Sequence, residues 1–157
     1  MISRAVFTDC QVFKTLGDGD VQRIADISTV EEHAAGSTVF REGTPSEKLY
    51  LLQNGKVALQ MQLPSNQAQA GRRVSVDIVT QNEVFGWSAL VEPHRYTLMA
   101  VCLEPTKVVA IDAFKLRSMM DGDQRVGYEL LRQIIRVLAS RLEESRHVLV
   151  SERLGSA

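Results

Sequence analysis

Residues 36–57 read GSTVFREGTPSEKLYLLQNGKV, and this stretch decides the fold class. It holds two short runs of β-branched, aromatic and aliphatic residues, 38–40 and 49–52, and turn-forming residues follow each run. Such runs between turns indicate β-strands. Asn54 and Gly55 both tolerate the positive φ of a type I′ turn, so this pair predicts a hairpin between residues 51–52 and 57–58.

The same pattern continues along the chain as far as residue 111. Short apolar runs lie at residues 57–63, 74–79, 98–103 and 106–111, and Pro, Gly or Asn residues separate them. This regular spacing predicts a β-sandwich or a barrel of hairpins. Residues 63–73 carry no large apolar side chain between their ends and predict an exposed hairpin loop, to which we assign no function.

Helices are expected on both sides of the strand region. Between about residues 8 and 29 the apolar spacing suits short helices. From about residue 124 to 154 the period changes to about 3.6, and the segment has no Pro and only one Gly, Gly127. The fold class is therefore α+β, with residues 1–122 expected to hold the short helices and the strands and residues 123–157 to form a long C-terminal helix.

The long helix carries a heptad pattern. Steps of four and three residues connect Leu131, Ile135, Leu138, Leu142, Ser145 and Leu149, and Ser145 is the one polar member. We expect the protein to form a homodimer through the other five, because a helix of this length, about 45 Å, extends beyond the edge of one small domain. The alternative is an amphipathic helix packed on its own β-domain, since Ile134, Val137 and Val148 widen the stripe.

The composition excludes several classes of protein. The 157 residues are 45% hydrophobic and 24% charged, with a net charge of −1, which fits a globular domain and gives no general attraction to nucleic acid. No signal peptide and no membrane-length apolar run is visible. Cys10 and Cys102 have no disulfide or metal-site spacing, which fits a reducing compartment. We expect a cytoplasmic protein that binds neither nucleic acid directly nor membranes.

The sequence carries no sign of catalysis. His33, His94 and His147 are far apart and match no metal-binding motif. No nucleophile stands in a recognisable pattern with a base. We therefore expect neither an enzyme nor a metal site.

The segment that points to a ligand is residues 84–97, VFGWSALVEPHRYT. Gly86 allows a close approach of the backbone, and residues 88–90 are suited to a short helix whose free N–H groups face an anion. Arg95 offers five fixed donors for a phosphate or a carboxylate. The segment predicts a small anionic ligand.

Each side chain of the segment also has a structural alternative. Arg95 could form an ion pair with Glu83 or Glu92 instead of binding a ligand. Ser88 could cap the short helix, which we favour, or donate to a phosphate. For the remaining residues the alternation of a strand allows Tyr96 and Thr97 to face either side.

Taken in order, the residues resemble the cyclic-nucleotide-binding domain of the catabolite-activator type. The resemblance rests on residues 36–43 (GSTVFREG), residues 49–57 (LYLLQNGKV), and Phe85-Gly86 with Ala89-Leu90 and Arg95. It implies a β-roll of about eight strands, a double-stranded β-helix or jelly roll, flanked by helices, with the long helix closing over the ligand. It also implies a phosphate-binding cassette, and the residues it assigns to ligand binding are Phe85, Gly86, Trp87, Ser88, Ala89, Leu90, Arg95, Tyr96 and Thr97, with Thr97 favoured over Tyr96 as the side chain on the ligand side.

One residue departs from the family pattern. The position after the cassette glycine is usually a Glu that accepts from the ribose 2′-hydroxyl, and here it is Trp87, an N–H donor that either lines an altered pocket or fills it.

We expect a ligand-sensing regulatory module that binds a cyclic nucleotide (cAMP or cGMP) or another small anion and signals through its C-terminal helix. The alternatives are a ligand-independent dimeric protein that acts through a protein partner, and the sensor half of a truncated transcription regulator, since the chain stops at Ala157, about where a DNA-binding domain would begin in such relatives.

Overall fold

The computed structural model describes residues 2–64 and 71–155. The helices are α1 (Ala5–Thr8), α2 (Asp18–Asp26), α3 (Ala113–Gly122) and α4 (Gln124–Gly155). The strands are β1 (Ser28–His33), β2 (Thr38–Phe40), β3 (Lys48–Asn54), β4 (Val57–Gln62), β5 (Arg73–Val79), β6 (Val84–Phe85), β7 (Met99–Cys102) and β8 (Thr106–Asp112), and a 3₁₀ turn (Trp87–Leu90) follows β6. The predicted loop at residues 63–73 lies partly outside the described residues.

The strands form two four-stranded antiparallel sheets. The first has the order β1-β8-β3-β6 and the second the order β2-β7-β4-β5. This is a jelly-roll arrangement, and with the helices it confirms the predicted α+β class. The two strands that the sequence did not predict are β1, which has a single large apolar side chain, Val30, and β6, which has two residues.

The hairpin predicted at Asn54-Gly55 is wrong. β3 pairs with β6 and β8, whereas β4 pairs with β5 and β7, so the chain passes from one sheet to the other at this turn. Gly55 has φ 109°, and a Cβ built there would lie 2.5 Å from Thr106 Oγ1. The glycine therefore permits a close crossing over the start of β8 rather than a type I′ turn.

The first sheet separates two hydrophobic clusters. Alternate residues of β3 face opposite sides: Leu49 and Leu51 belong to the cluster under the helices, and Tyr50 and Leu52 to the cluster between the sheets. We call these the helical cluster and the roll cluster. Because both faces of the sheet are covered, β3 is a continuous buried run of four residues rather than an alternating one.

Helix α4 begins and ends where the sequence predicted. Its first turns bury Val126, Leu130 and Ile134 in the helical cluster, so this part packs on its own domain, as the alternative interpretation proposed. The five seam residues are 40–63% exposed: Leu131, Ile135, Leu138, Leu142 and Leu149. Homodimerisation through this seam, and the domain boundary at residues 122/123, stay predictions. None of the described helices is long and apolar enough to cross a membrane.

Candidate functional site

The cassette begins with a glycine-dependent turn. Gly86 has φ 83° and ψ 36°, in the left-handed region, and it occupies the N-cap position of the 3₁₀ turn. A Cβ at this position would lie 3.3 Å from the Tyr50 ring and 3.4 Å from the Lys48 carbonyl oxygen. No side chain caps the turn, so the favoured capping role of Ser88 is wrong. The conformation of Gly86 replaces a side-chain cap.

The end of the cassette, residues 94–96, pairs with residues 43–46, about 50 residues earlier in the sequence. The Gly43 N–H donates to the Tyr96 carbonyl at 2.8 Å, and the Tyr96 N–H donates to the Thr44 carbonyl at 3.0 Å. The Ser46 N–H donates to the His94 carbonyl at 2.8 Å. The glycine-containing stretch at residues 36–43 and the cassette are therefore two parts of one local structure.

Arg95 is exposed and lies on this pairing. Its Nη1 donates to the Gly43 carbonyl oxygen at 2.5 Å. The alternative for Arg95, an ion pair with Glu83 or Glu92, does not form: Glu83 pairs with Arg141 instead, and across residues 2–64 and 71–155 Arg95 has no carboxylate partner. One guanidinium N–H is thus engaged by the protein, and the remaining donors are available to an anion.

Tyr96 fills the space inside the roll next to Arg95. Its ring stacks on Phe40 with 3.8 Å between centroids, and its hydroxyl donates to the Lys48 carbonyl at 2.7 Å. Tyr50 and Phe85 extend the stack. Burial is the main cause that raises the pKa of Tyr50 and of Tyr96, so both phenols are neutral. Thr97 is exposed, and its role in ligand binding stays a prediction.

A cavity of about 250 Å³ opens beside this aromatic stack. Its lining combines rings with a few polar groups: Val39, Phe40, Thr44, Pro45, Glu47, Lys48, Tyr50 and Tyr96. The Lys48 ammonium donates to Glu31 at 2.6 Å, so its charge is already balanced. In the part of the chain that the structure describes, no group of three or more His, Cys, Asp or Glu residues could hold a metal ion.

Trp87 lies on the other side of the sheet. Its ring packs, with Leu90, against the helical cluster, in which Ala89 is fully buried. The Ala89 carbonyl accepts from Arg117 Nη1 of α3 at 2.5 Å. The turn is therefore fixed to the helices, and the part of Trp87 in a ligand site stays a prediction.

Arg141 of α4 is a site residue that sequence reasoning missed. Nη1 pairs with Asp77 of β5, and Nη2 pairs with Glu83 at 2.5 Å. A cavity of about 320 Å³ adjoins these ion pairs, lined by Gln11, Glu83, Arg136, Val137, Ser140, Arg141 and Glu144. No local signal could have found Arg141, because its partners are 64 and 58 residues away in the sequence.

Comparison with known proteins agrees with this geometry. A family model for the cyclic nucleotide-binding domain matches residues 30–123. The chain is 32% identical over 114 residues to the CRP-like cAMP-activated global transcriptional regulator of Mycobacterium tuberculosis, a match that covers 73% of this chain and 47% of that protein. It is 25% identical over 141 residues to the global nitrogen regulator of Synechococcus elongatus, covering 88% and 57%. The chain spans about half the length of the curated relatives it matches.

Solved structures show the same fold. A protein from Geobacter metallireducens that is named for cyclic nucleotide binding superposes with a TM-score of 0.78 and 30% identity, covering 90% of this chain and 99% of that one. The N-terminal domain of a transcriptional regulator from Streptomyces coelicolor superposes with a TM-score of 0.69 and 26% identity, covering 88% and 94%. These relatives confirm the resemblance carried by the sequence motifs, and the chain belongs to the cyclic nucleotide-binding domain family.

Proposed function

We propose that this chain is a ligand-sensing regulatory module that binds a small anionic effector at Arg95 and signals through α4. The observation that carries the proposal is the position of the Arg95 guanidinium, which is exposed and anchored to a carbonyl rather than to a carboxylate. A cation with no acidic partner among the described residues is free to neutralise a ligand. A planar guanidinium suits bidentate contact with a phosphate or a carboxylate.

The contact with Gly43 supports binding in a second way. Because one donor of Arg95 is held by the backbone, the guanidinium is oriented before a ligand arrives. Preorganisation of this kind improves affinity, since less side-chain freedom is lost on binding.

A cyclic nucleotide is the first effector to test. The family and the mycobacterial relative, which is named as cAMP-activated, support this choice. Two residues weaken it: Trp87 replaces the usual acceptor of the ribose hydroxyl, and the Tyr96 ring occupies the roll interior beside Arg95. Loss of one such polar contact costs about 1–3 kcal/mol, so we expect cAMP to bind about 5- to 160-fold more weakly than in a site that keeps the Glu.

The direct test is thermal unfolding with and without millimolar cAMP, cGMP or inorganic phosphate. A ligand at about 100 times its Kd adds about 2.7 kcal/mol, which is about 5–11 °C for a domain of this size. The shift should vanish in Arg95→Ala and persist in Arg146→Ala, which removes an exposed arginine far along α4. A shift of the same size in Arg95→Ala, or no shift with any of the three probes, would refute the proposal.

A second candidate is a dimeric interaction protein whose pocket no longer binds a ligand. The exposed apolar seam of α4 and the filled roll interior favour it. Sedimentation equilibrium distinguishes the two: a ligand-independent dimer that Leu138→Glu dissociates, together with no anion binding, would support this alternative. The greater length of the curated relatives also fits the proposal that the chain is the sensor half of a longer regulator.

A further inference from the structure

The second half of α4 is attached to the strands through a charged residue. After Val137, Arg141 is the one described residue of α4 that is not exposed. Its side chain retains only 19% of its exposure. The apolar contacts of α4 with the helical cluster end at about Val137, and beyond it the ion pairs of Arg141 connect the helix to the strand region.

The ion pairs of Arg141 reach the chain immediately before the cassette. Asp77 lies in β5, and Glu83 directly precedes β6, which ends at Phe85, next to Gly86. Glu83 is itself held in place, because its Oε1 accepts from the Thr80 N–H at 2.8 Å and from the Thr80 hydroxyl at 2.7 Å. A shift of the chain at residues 83–86 therefore shifts an anchor of α4.

The surroundings leave space for this contact to change. The cavity of about 320 Å³ beside Arg141 is bounded by Val137 and Ser140 of α4 and by Gln11. The side chains of Asp77 and Glu83 are both more than a third exposed, at 35% and 38%. The guanidinium can thus leave one carboxylate without overlapping other atoms, which a fully packed side chain could not do.

We infer that Arg141 is the positioning residue that couples the cassette to the second half of α4. It fixes the direction of residues 138–155 relative to the roll by bridging Asp77 and Glu83. The coupling to an effector rests on the proposed function, whereas the positioning of the helix does not.

The experiment measures the distance between spin labels by double electron–electron resonance, on Glu104→Cys in the exposed β7–β8 turn and Ser151→Cys on α4. Both native cysteines are buried, and dilution with unlabelled protein restricts the signal to distances within one chain. We expect one narrow distribution in the parent protein, its loss in Arg141→Ala, and no change in Arg146→Ala. The Asp77→Asn, Glu83→Gln double variant should reproduce Arg141→Ala, and adding Arg141→Ala to it should change nothing more.

An unchanged distribution in Arg141→Ala would overturn the inference. If that variant does not fold, the Asp77→Asn, Glu83→Gln double variant decides instead. The parent protein at about 1 M salt, where charges are screened within about 3 Å, provides a further check, because weakening the ion pairs should also remove the narrow distribution. The arm with cAMP or phosphate reports on the proposed function separately. A ligand-induced distance change that needs both Arg95 and Arg141 supports the coupling, whereas a change that survives Arg141→Ala overturns it. If neither probe binds, this result counts against the proposed function. The distances measured without ligand still decide the role of Arg141.

Discussion

Replacing Gly86 by alanine should show how tightly the start of the cassette is constrained. The residue has φ 83°, a conformation that costs an L-amino acid about 1–2 kcal/mol. The new Cβ would also lie 3.3 Å from Tyr50 Cδ2, 3.4 Å from the Lys48 carbonyl oxygen and 3.5 Å from Phe40 Cε2. Crowding of this degree adds about 1 kcal/mol, at the low end for overpacked sites. The sum, about 2–3 kcal/mol, lowers the Tm by about 4–12 °C.

Gly36→Ala is the matched control. Gly36 also has φ 83°, but no atom lies within 4 Å of its built Cβ, so it incurs only the conformational cost. Calorimetry and urea unfolding should place the Tm of Gly86→Ala about 2–4 °C below that of Gly36→Ala, the equivalent of about 1 kcal/mol. Equal losses in the two variants would refute the argument that Tyr50, Lys48 and Phe40 confine the turn. No loss in either would refute the left-handed conformation itself.

Three further results are expected. Burial raises the pKa of Tyr50 and Tyr96, so the folded state keeps protons that the unfolded state loses above about pH 10. The free energy of unfolding should therefore fall with rising pH there, by up to about 1.4 kcal/mol per pH unit for each tyrosine. Urea unfolding at several pH values should show a shallower dependence on pH in Tyr96→Phe. Burial raises the pKa of the Cys10 thiol to about 11, so at pH 8 it should react with a disulfide reagent only as fast as the native structure opens, and a rapid burst absent from Cys10→Ser would contradict this. Arg117→Ala removes the donor to the Ala89 carbonyl and should cost about 1.5 kcal/mol in urea unfolding, whereas Lys115→Ala, an exposed neighbour, should cost less.

The predicted fold is correct where local patterns carry the information. Apart from the two-residue β6, the strands from residue 38 onward are short apolar runs between turn residues, and α4 lacks internal proline, so both were visible in the sequence. β1 was missed because its sequence, STVEEH, has one large apolar side chain and that one is exposed. The turn at Asn54-Gly55 was misassigned because a turn between strands has the same residue preferences whether the strands pair or enter different sheets.

The site shows where sequence reasoning stops. The motif placed Gly86 and Arg95 in one segment, but it did not indicate that Arg95 would donate to Gly43. Alternation left the direction of Tyr96 open, and the Phe40 ring, contributed by a distant strand, accounts for its inward position. Arg141 was indistinguishable from a surface charge, since its role depends on carboxylates that only the folded chain brings near.

The position of β3 between two hydrophobic clusters has a consequence for how a signal could travel. Tyr50 borders the cassette turn and the cavity, while its neighbours Leu49 and Leu51 pack under α3 and α4. Adjacent residues of β3 thus contact different halves of the molecule, and the same backbone amides connect both sets of contacts. The rate of hydrogen exchange of the β3 amides should therefore change when the packing on either face changes. This strand is the place to measure communication between the ligand side and the helices.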